Sequence, residues 1–201
     1  SGENRCWPLP GRPGFAFGTE QAGVYLVGVE RHLQLFDSST GECRKVSDEV
    51  DADVEGTIIN DAVPFPGGIV LGTKDLEFAE KKAGLYLWRI EDQSLVRLRD
   101  DQVCSNGKVI RQDGDGWLLW DIDTPTKTVV EYRLDLKRGR LDEIRVVLDL
   151  TDLDIFPDGM VATADYDSLV VAFYNPGDAP YGVVRQFRIE DGIVQREWQL
   201  P

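Results

Sequence analysis

The sequence of 201 residues has three cysteines, one histidine and one methionine, and it lacks any long apolar run. The cysteines are odd in number and form no Cys-x-x-Cys pair, which argues against a disulfide framework and favours a reducing, cytoplasmic compartment. No window approaches the roughly 18 apolar residues that span a bilayer, so we expect no membrane segment. The formal charge of −14 disfavours nucleic acid as a partner, because the protein's field repels phosphate.

The shortage of histidine and activated cysteine limits the catalytic chemistry. A Ser/His/Asp triad would have to use His32, the single histidine, which is expected at a hairpin tip. Cys104 is interpreted as a small buried residue rather than a nucleophile. Covalent catalysis by either residue is therefore disfavoured.

Helical periodicity is also missing, since no stretch of 12 or more residues has a clean i, i+3, i+4, i+7 apolar face. In addition, 20 glycines and 10 prolines interrupt the chain too often for long helices. Only Lys137–Asp154 is ambiguous, and a short helical turn near Leu150–Leu153 stays open. Elsewhere, short apolar runs bounded by Gly, Pro, Asp or Asn predict β-strands. The clearest are Val24–Val29, Gly68–Leu71, Gly84–Trp88, Gly116–Trp120 and Ser168–Tyr174.

A strand that leads into an acidic turn recurs four times along the chain. The acidic residues are Asp37, Glu91, Asp135 and Glu190, which lie 54, 44 and 55 residues apart. A period of this size, built from about four short strands, is what one blade of a β-propeller requires. The sequence therefore predicts an all-β fold, a β-propeller with about four blades, in a single domain over residues 1–201. The alternative, a β-sandwich, would show shorter and less regular spacing.

Three segments place an amide or carboxylate beside small or turn-forming residues, just before predicted inner strands. They contain Asn60, Asn106 and Asp158. In a propeller, loops at one end of the inner strands surround the central channel, so these side chains should converge there. Amide and carboxylate oxygens at one point suit a hard divalent cation. Asn-Gly and Asp-Gly are also ordinary turn formers, and that simpler interpretation stays open for each segment.

In order and spacing, these motifs resemble the senescence marker protein (regucalcin) and gluconolactonase family. The resemblance implies a six-bladed β-propeller that holds one divalent metal ion and hydrolyses lactones or related esters. It rests most on the Ser-Asn-Gly motif at 105–107 and the Pro-Asp-Gly-Met motif at 157–160, about 50 residues apart as in the family. Further matching segments are Asn60–Thr73, Gly84–Leu87, Val171–Asn175 and Trp198–Pro201.

The resemblance also implies roles for individual residues. Asn106 and Asp158 match the metal ligands, and Asp158 is the expected catalytic acid/base residue. Asn60 and Glu77 match residues that bind the substrate. The ion would be calcium, zinc, magnesium or manganese, since an all-oxygen ligand set does not discriminate sharply among them.

Two positions depart from the family pattern. Ile58 stands where the family often has an arginine that grips the substrate, which makes a polyhydroxylated sugar lactone less suitable. The family's first metal ligand, a glutamate, has no counterpart in this chain. Glu3, with Trp7, mimics the glutamate's spacing, but this segment aligns better with the outer edge of a blade.

Two functions of different classes follow from these features. The first is a metal-dependent hydrolase that opens a lactone or related ester, with a small lactone or other sugar-derived molecule as substrate. The second is a non-catalytic propeller segment that binds a ligand or a partner, since propellers host many unrelated functions. Metal content separates them, because the hydrolase should retain a divalent ion.

The same resemblance implies that residues 1–201 form the middle of a six-bladed propeller, with about one blade missing on either side. Such an open arc leaves unpaired strand edges, which natural proteins rarely leave bare. We therefore expect either that the sequence is a fragment of a longer product, or that a second copy of the chain or another chain that supplies the missing blades covers these edges.

Overall fold

The computed structural model describes residues 5–201, which fold almost wholly into β-strands. Within this range, sixteen strands form four antiparallel sheets of four strands each, and a short 3₁₀ helix spans Thr124–Thr126. None of the described helical structure is long and apolar enough to cross a membrane.

The strands follow one another through the sheets in chain order, so each sheet is one propeller blade. The first blade contains β1 (Pro13–Gly18), β2 (Val24–Val29), β3 (His32–Asp37) and β4 (Cys43–Lys45). The second contains β5 (Thr57–Phe65), β6 (Gly68–Asp75), β7 (Ala83–Arg89) and β8 (Leu95–Gln102). The third contains β9 (Ser105–Asp113), β10 (Gly116–Asp123), β11 (Thr128–Asp135) and β12 (Arg140–Asp149). The fourth contains β13 (Phe156–Ala162), β14 (Ser168–Tyr174), β15 (Gly182–Arg188) and β16 (Val194–Leu200).

The blades meet mainly through their first strands. The strand β5 contacts both β1 and β9, and β9 in turn contacts β13. These four first strands therefore form the inner side of the arc, and the fourth strand of each sheet lies at its outer edge. Residues on β5, β9 and β13 are consequently the ones that can share a site across blades.

The repeat in the sequence corresponds to the third strand of each blade. The strand β3 ends at Asp37 and β11 ends at Asp135, while β7 and β15 end two residues before Glu91 and Glu190. The predicted all-β propeller with four blades is confirmed, and the β-sandwich alternative is wrong. The ambiguous segment contains the strand β12, and Leu150–Leu153 forms a single hydrogen-bonded turn rather than a helix.

The hydrophobic core is divided among the spaces between neighbouring blades. Val70 and Leu71 are adjacent on β6 and both fully buried, yet Val70 packs towards the third blade and Leu71 towards the first. Alternate side chains of a strand point to opposite faces of its sheet, so a strand between two blades is apolar on both faces. This explains why the sequence shows continuous apolar runs where the second and third strands lie.

Candidate functional site

The pairing of the first strand of each blade with the second is interrupted by a β-bulge or similar irregularity. The irregularity falls at Asn60 in β5, at Asn106 in β9 and at Asp158 in β13. The first blade has the same irregularity at Gly14 in β1. A bulge leaves an extra residue unpaired and re-aims its side chain, which is why bulges often lie beside functional sites. The expectation that the three polar residues lie in loops ahead of the inner strands is wrong, because they lie within the innermost strands themselves.

The structure brings Asn60, Asn106 and Asp158 to one cavity of about 440 Å³. The sequence predicted this convergence from the propeller geometry. The cavity combines polar groups with two aromatic side chains, which suits a small, partly apolar molecule. The other residues that line it are Lys74, Phe78, Cys104, Thr124 and Tyr174.

A chain of hydrogen bonds fixes the orientation of the Asn106 amide. The Thr124 hydroxyl donates its one proton to the Pro157 carbonyl at 2.8 Å, so it can only accept from the Asn106 Nδ2 group, also at 2.8 Å. The Asn106 Oδ1 atom therefore faces the other way and accepts from Asn60 Nδ2 at 2.8 Å. An amide oxygen accepts two bonds, so one lone pair of Asn106 Oδ1 stays available.

Asn60 uses both of its amide protons within the protein. Its Nδ2 group donates to the Ser105 carbonyl at 2.9 Å as well as to Asn106 Oδ1. Its Oδ1 atom accepts no hydrogen bond from residues 5–201, so it is left as an acceptor at the cavity.

Asp158 carries a half-buried carboxylate with no hydrogen-bond donor among the residues that the structure describes. Burial raises the pKa of this carboxyl above its usual range, and the neighbouring Asp61 raises it further, while Lys74 partly opposes the shift. The Asp158 carboxylate is thus a desolvated negative charge that a bound cation would stabilise. Its raised pKa also suits it to accept a proton.

Cys104 lies beneath the two asparagines with a buried thiol. Burial is the main cause that raises the thiol's pKa to about 12, and the positive charges of Lys74 and Lys108 only partly oppose it. The thiol accepts long contacts from the Nδ2 groups of Asn60, at 3.7 Å, and Asn106, at 3.5 Å. All three cysteines are unbridged. Cys104 is therefore a buried, un-ionised packing residue, as the sequence predicted.

A buried ion pair supports the backbone of Asn106 from the side away from the cavity. Lys108 Nζ donates to the Asn106 carbonyl at 2.6 Å and lies 3.3 Å from Asp121 Oδ1, and the two charged side chains are at most 1% exposed. The Asp121 carboxylate also accepts bonds from the Ser105 hydroxyl, at 3.1 Å, and from the Gln102 amide. This pair was not predicted from the sequence, although a lysine and an aspartate within two apolar strands of one blade could have indicated it.

Gly107 allows the third and fourth blades to approach each other at the site. A Cβ atom at this position would lie 2.4 Å from the Met160 nitrogen and 2.7 Å from the Asp158 carbonyl oxygen. Both are backbone atoms, which cannot move aside as the end of a flexible side chain can. The glycine of the Ser-Asn-Gly motif is therefore needed for close approach of two backbones, and any larger residue would push Asp158 away from Asn106.

Glu77 is exposed and does not line the cavity, whereas its neighbour Phe78 does. The turn that carries both residues is held by the Asp75 carboxylate, which accepts backbone N–H bonds from Glu77 at 3.2 Å and from Ala79 and Glu80 at 2.9 Å. Burial alone would raise the pKa of Asp75, but these N–H donors outweigh it and lower the pKa to about 2. The structure thus brings together three of the four predicted site residues.

The remaining candidates lie away from this cavity. His32 Nε2 is 3.2 Å from Lys45 Nζ, at the rim of a larger cavity of about 620 Å³ on the first blade. Burial and Lys45 lower the pKa of His32, and within residues 5–201 no serine or carboxylate is hydrogen-bonded to its ring. Glu3 lies outside the described residues.

The donor set suits a divalent cation at Asn106 and Asp158 only in part. The available lone pair of Asn106 Oδ1 and the unpartnered Asp158 carboxylate are oxygen ligands of the kind that hard cations take. In the described part of the chain, no three His, Cys, Asp or Glu side chains are grouped to hold a metal ion. An ion held by these two residues would complete its coordination with water or with groups beyond them.

Comparison with known proteins gives the context for this geometry. The family model of the SMP-30/Gluconolactonase/LRE-like region matches residues 1–201. The putative sugar lactone lactonase YvrE of Bacillus subtilis is 36% identical over 107 residues, which is 53% of this chain and 36% of that protein. The L-arabinolactonase of Azospirillum brasilense is 27% identical over 161 residues, which is 79% of this chain and 52% of that protein.

A solved structure of a calcium-binding protein, regucalcin, from Agrobacterium tumefaciens superposes with a TM-score of 0.78 at 20% identity. The superposition covers 96% of this chain and 62% of that one. At this identity the likeness shows a shared fold. The chain spans about half or less of the length of the curated relatives that it matches.

Proposed function

Because the chain belongs to the SMP-30/gluconolactonase/LRE-like family, we propose that it carries the catalytic side chains of a divalent-metal-dependent hydrolase that opens a lactone or a related ester. One observation carries the proposal. The unpartnered Asp158 carboxylate and the oriented Asn106 amide share one cavity on neighbouring inner strands. The lactonases among its relatives support the same reaction class.

Asn106 and Asp158 are the proposed metal ligands. A divalent ion bound there would polarise the lactone carbonyl and acidify a nearby water molecule. Calcium, zinc, magnesium and manganese all accept oxygen ligands of this kind, and calcium is the ion named for the regucalcin relative. The orientation enforced by Thr124 keeps the amide oxygen, rather than the NH₂ group, available for the ion.

Asp158 is the proposed acid/base residue. As the oxygen of a water molecule attacks the lactone carbonyl carbon, the Asp158 carboxylate accepts the proton that the water loses. When the ring C–O bond breaks, the same proton passes to the departing ring oxygen. The product is then a hydroxy acid, and Asp158 returns to its ionised form. The raised pKa of this carboxyl supports the proton-accepting step.

Substrate placement is proposed to depend on Asn60 and the aromatic walls of the cavity. Asn60 Oδ1 is left to accept a hydrogen bond from a substrate hydroxyl, since its amide protons are already engaged. Phe78 and Tyr174 offer apolar surface and limit access of water. Ile58 is buried and does not line the cavity, which supports a small lactone rather than one rich in hydroxyl groups.

The alternative function, a non-catalytic scaffold that binds a ligand or partner, is favoured by one observation. Within residues 5–201, Asp158 is the sole carboxylate that lines the cavity, and a cation held by one charge binds weakly. A scaffold would need no stoichiometric metal ion, so metal content separates the two proposals.

Association is proposed through the outer edge of the fourth blade. The last strand, β16, is exposed along its whole length, and it carries the large apolar residues Val194, Trp198 and Leu200. Exposed strand edges of this kind tend to pair with further strands. A second copy of the chain, or a chain that supplies further blades, would cover this edge.

The experiment is a calorimetric titration with calcium, zinc, magnesium and manganese, followed by a pH-stat screen of small lactones. Asp158→Asn keeps the side-chain size but removes the charge and the proton acceptor, so it should weaken metal binding and lower hydrolysis by about 10²- to 10⁴-fold. Asp100→Asn, at an exposed carboxylate that does not line the cavity, is the matched control and should retain both. Equal metal binding by the parent and Asp158→Asn, or equal hydrolysis, would reject the hydrolase proposal.

A further inference from the structure

Lys74 is held at the cavity by strands from two blades. Its backbone pairs with Ile58 of β5 in the second blade, and an isolated β-bridge joins it to Cys104, which precedes the third blade. Its half-buried side chain lines the same cavity as Asp158, with Nζ 5.5 Å from the centre of the Phe78 ring. The fold therefore fixes the backbone of Lys74, and its ammonium group lies against the Phe78 ring.

Lys74 has no carboxylate within ion-pair distance in residues 5–201. Among residues 5–201, it is the only cation that lines the cavity, and Asp158 is the only acid. Since Asp158 is the proposed ligand of a divalent ion, its charge would be engaged by that ion. The ammonium group of Lys74 would then face the bound molecule without a protein partner.

We propose that Lys74 binds an anionic substituent of the substrate, so that the preferred lactones carry a carboxylate in addition to the ring ester. This inference rests on the proposed function. A protein with a net charge of −14 repels anions at long range, and the Debye length of about 8 Å at physiological salt restricts the lysine's attraction to ligands inside the cavity. Lys74 thus acts as a specificity-determining residue.

A carboxylate fits this position better than a phosphate does. One lysine balances the single charge of a carboxylate, whereas a phosphate dianion takes more hydrogen-bond donors than one ammonium group supplies, and within residues 5–201 no arginine or second lysine lines the cavity. The volume of about 440 Å³ accommodates a small ring with one such substituent. The aromatic face of Phe78, adjacent to Lys74, would pack against the ring carbons.

A different role for Lys74, as a fixed counter-charge to Asp158, makes another prediction. A counter-charge would stabilise Asp158 whatever the substrate, and its removal would affect charged and neutral lactones alike. Binding of a substituent affects only the charged lactone. The two roles therefore differ in a measurable way.

The kinetic test compares a five-membered lactone that carries a carboxylate with the corresponding neutral carboxamide. Lys74→Met should raise KM at least tenfold for the carboxylate lactone and less than twofold for the carboxamide, with kcat nearly unchanged, and added salt should weaken the parent's preference. Lys74→Arg should restore most of the preference. Lys81→Met, at an exposed lysine in the same rim loop, is the control and should behave as the parent. An equal loss for both lactones, or no change, would overturn the proposal.

A binding test without turnover separates this inference from the proposed function. Cyclopentanecarboxylate and cyclopentanecarboxamide, which contain no ester, are titrated into the parent and Lys74→Met, and manganese is titrated to check that the metal site is intact. The parent should bind the carboxylate at least tenfold more tightly than the carboxamide, and the variant should not discriminate. This result without lactone hydrolysis would reject the hydrolase and retain the anion site. Hydrolysis of neutral lactones, without any Lys74-dependent discrimination between carboxylate and carboxamide, would reject the anion site and retain the hydrolase.

Discussion

The bulged ends of the inner strands and the middles of the same sheets have opposite chemistry. In the middle of the second and third blades, Leu71, Leu85 and Leu119 are fully buried among apolar neighbours. At the bulges, Asn106 and Asp158 lie above a buried lysine and aspartate. The apolar region repeats from blade to blade, whereas the polar region differs at every blade.

The first blade differs from the other three in its bulge. The irregularity in β1 falls at Gly14, which has no side chain, whereas those of the following blades include Asn60, Asn106 and Asp158. A Cβ atom at Gly14 would lie 2.7 Å from the Ile59 carbonyl oxygen, so this bulge serves the contact between blades. The repeat thus specifies the scaffold, and the residue at each bulge specifies what the scaffold can bind.

The largest loss of folding stability should come from removing the buried positive charge of Lys108, next to the bulge of β9. Lys108→Met leaves Asp121 buried without its cation, and breaking a buried pair in this way costs about 3–5 kcal/mol. Arg140→Met breaks the exposed Arg140–Asp142 pair and should cost less than about 1 kcal/mol. Urea unfolding followed by tryptophan fluorescence measures both. Similar losses in the two variants would show that the polar end of the blade is not held by its ion pair.

A smaller loss of stability is expected when the approach of two bulges is obstructed. Gly107→Ala should destabilise the fold by about 1–3 kcal/mol, because the new methyl group meets the backbone of Asp158 and Met160. Gly159→Ala, next to Asp158 but with no atom within 4 Å of the added methyl, should stay within about 0.5 kcal/mol of the parent. Thermal unfolding of the two alanine variants provides the measurement, and equal melting temperatures would contradict the close-approach role.

Loss of the hydrogen bond that orients the Asn106 amide should lower the unfolding free energy still less, but it should weaken metal binding. Thr124→Val removes the hydroxyl that orders the amide, so we expect a loss of about 1 kcal/mol in unfolding free energy together with a clear fall in manganese affinity. Thr124→Ser keeps the hydroxyl and should recover the affinity. A valine variant that binds manganese as the parent does would show that Thr124 does not orient the ligand.

A pH-dependent effect concerns the rim turn that carries Phe78. The pKa of Asp75 is lowered to about 2 in the folded protein, so its carboxylate stabilises the fold above its ordinary pKa near 3.8, and this contribution is lost as the pH falls towards 2. Asp75→Asn should therefore melt below the parent at pH 6, with a gap that narrows on acidification. A gap that widens at low pH would contradict the role of the ionised carboxylate.

The scaffold could be predicted from sequence because each blade repeats one physical pattern. The bounds of β2 and β14 agree with the predicted runs Val24–Val29 and Ser168–Tyr174. The outer strands β12 and β16 gave a weaker signal, since most of their residues are exposed. These two segments are strands because they pair with β11 and β15.

The site was predictable only where a residue type by itself indicates chemistry. Asn60, Asn106 and Asp158 stand out beside glycine or aspartate, and the structure brings them to one cavity. Thr124 and Lys74 gave no such signal, because their contribution depends on contacts across blades. Glu77 stays a prediction that no contact at the cavity supports.

Anomalous diffraction from crystals grown with manganese tests whether Asn106 and Asp158 hold a divalent ion. We expect one anomalous peak in the cavity, within ~2.5 Å of Asn106 Oδ1 and of an Asp158 carboxylate oxygen, and no such peak in crystals of Asp158→Asn. The absence of a peak at saturating manganese in the parent, or a peak that neither residue contacts, would contradict this expectation.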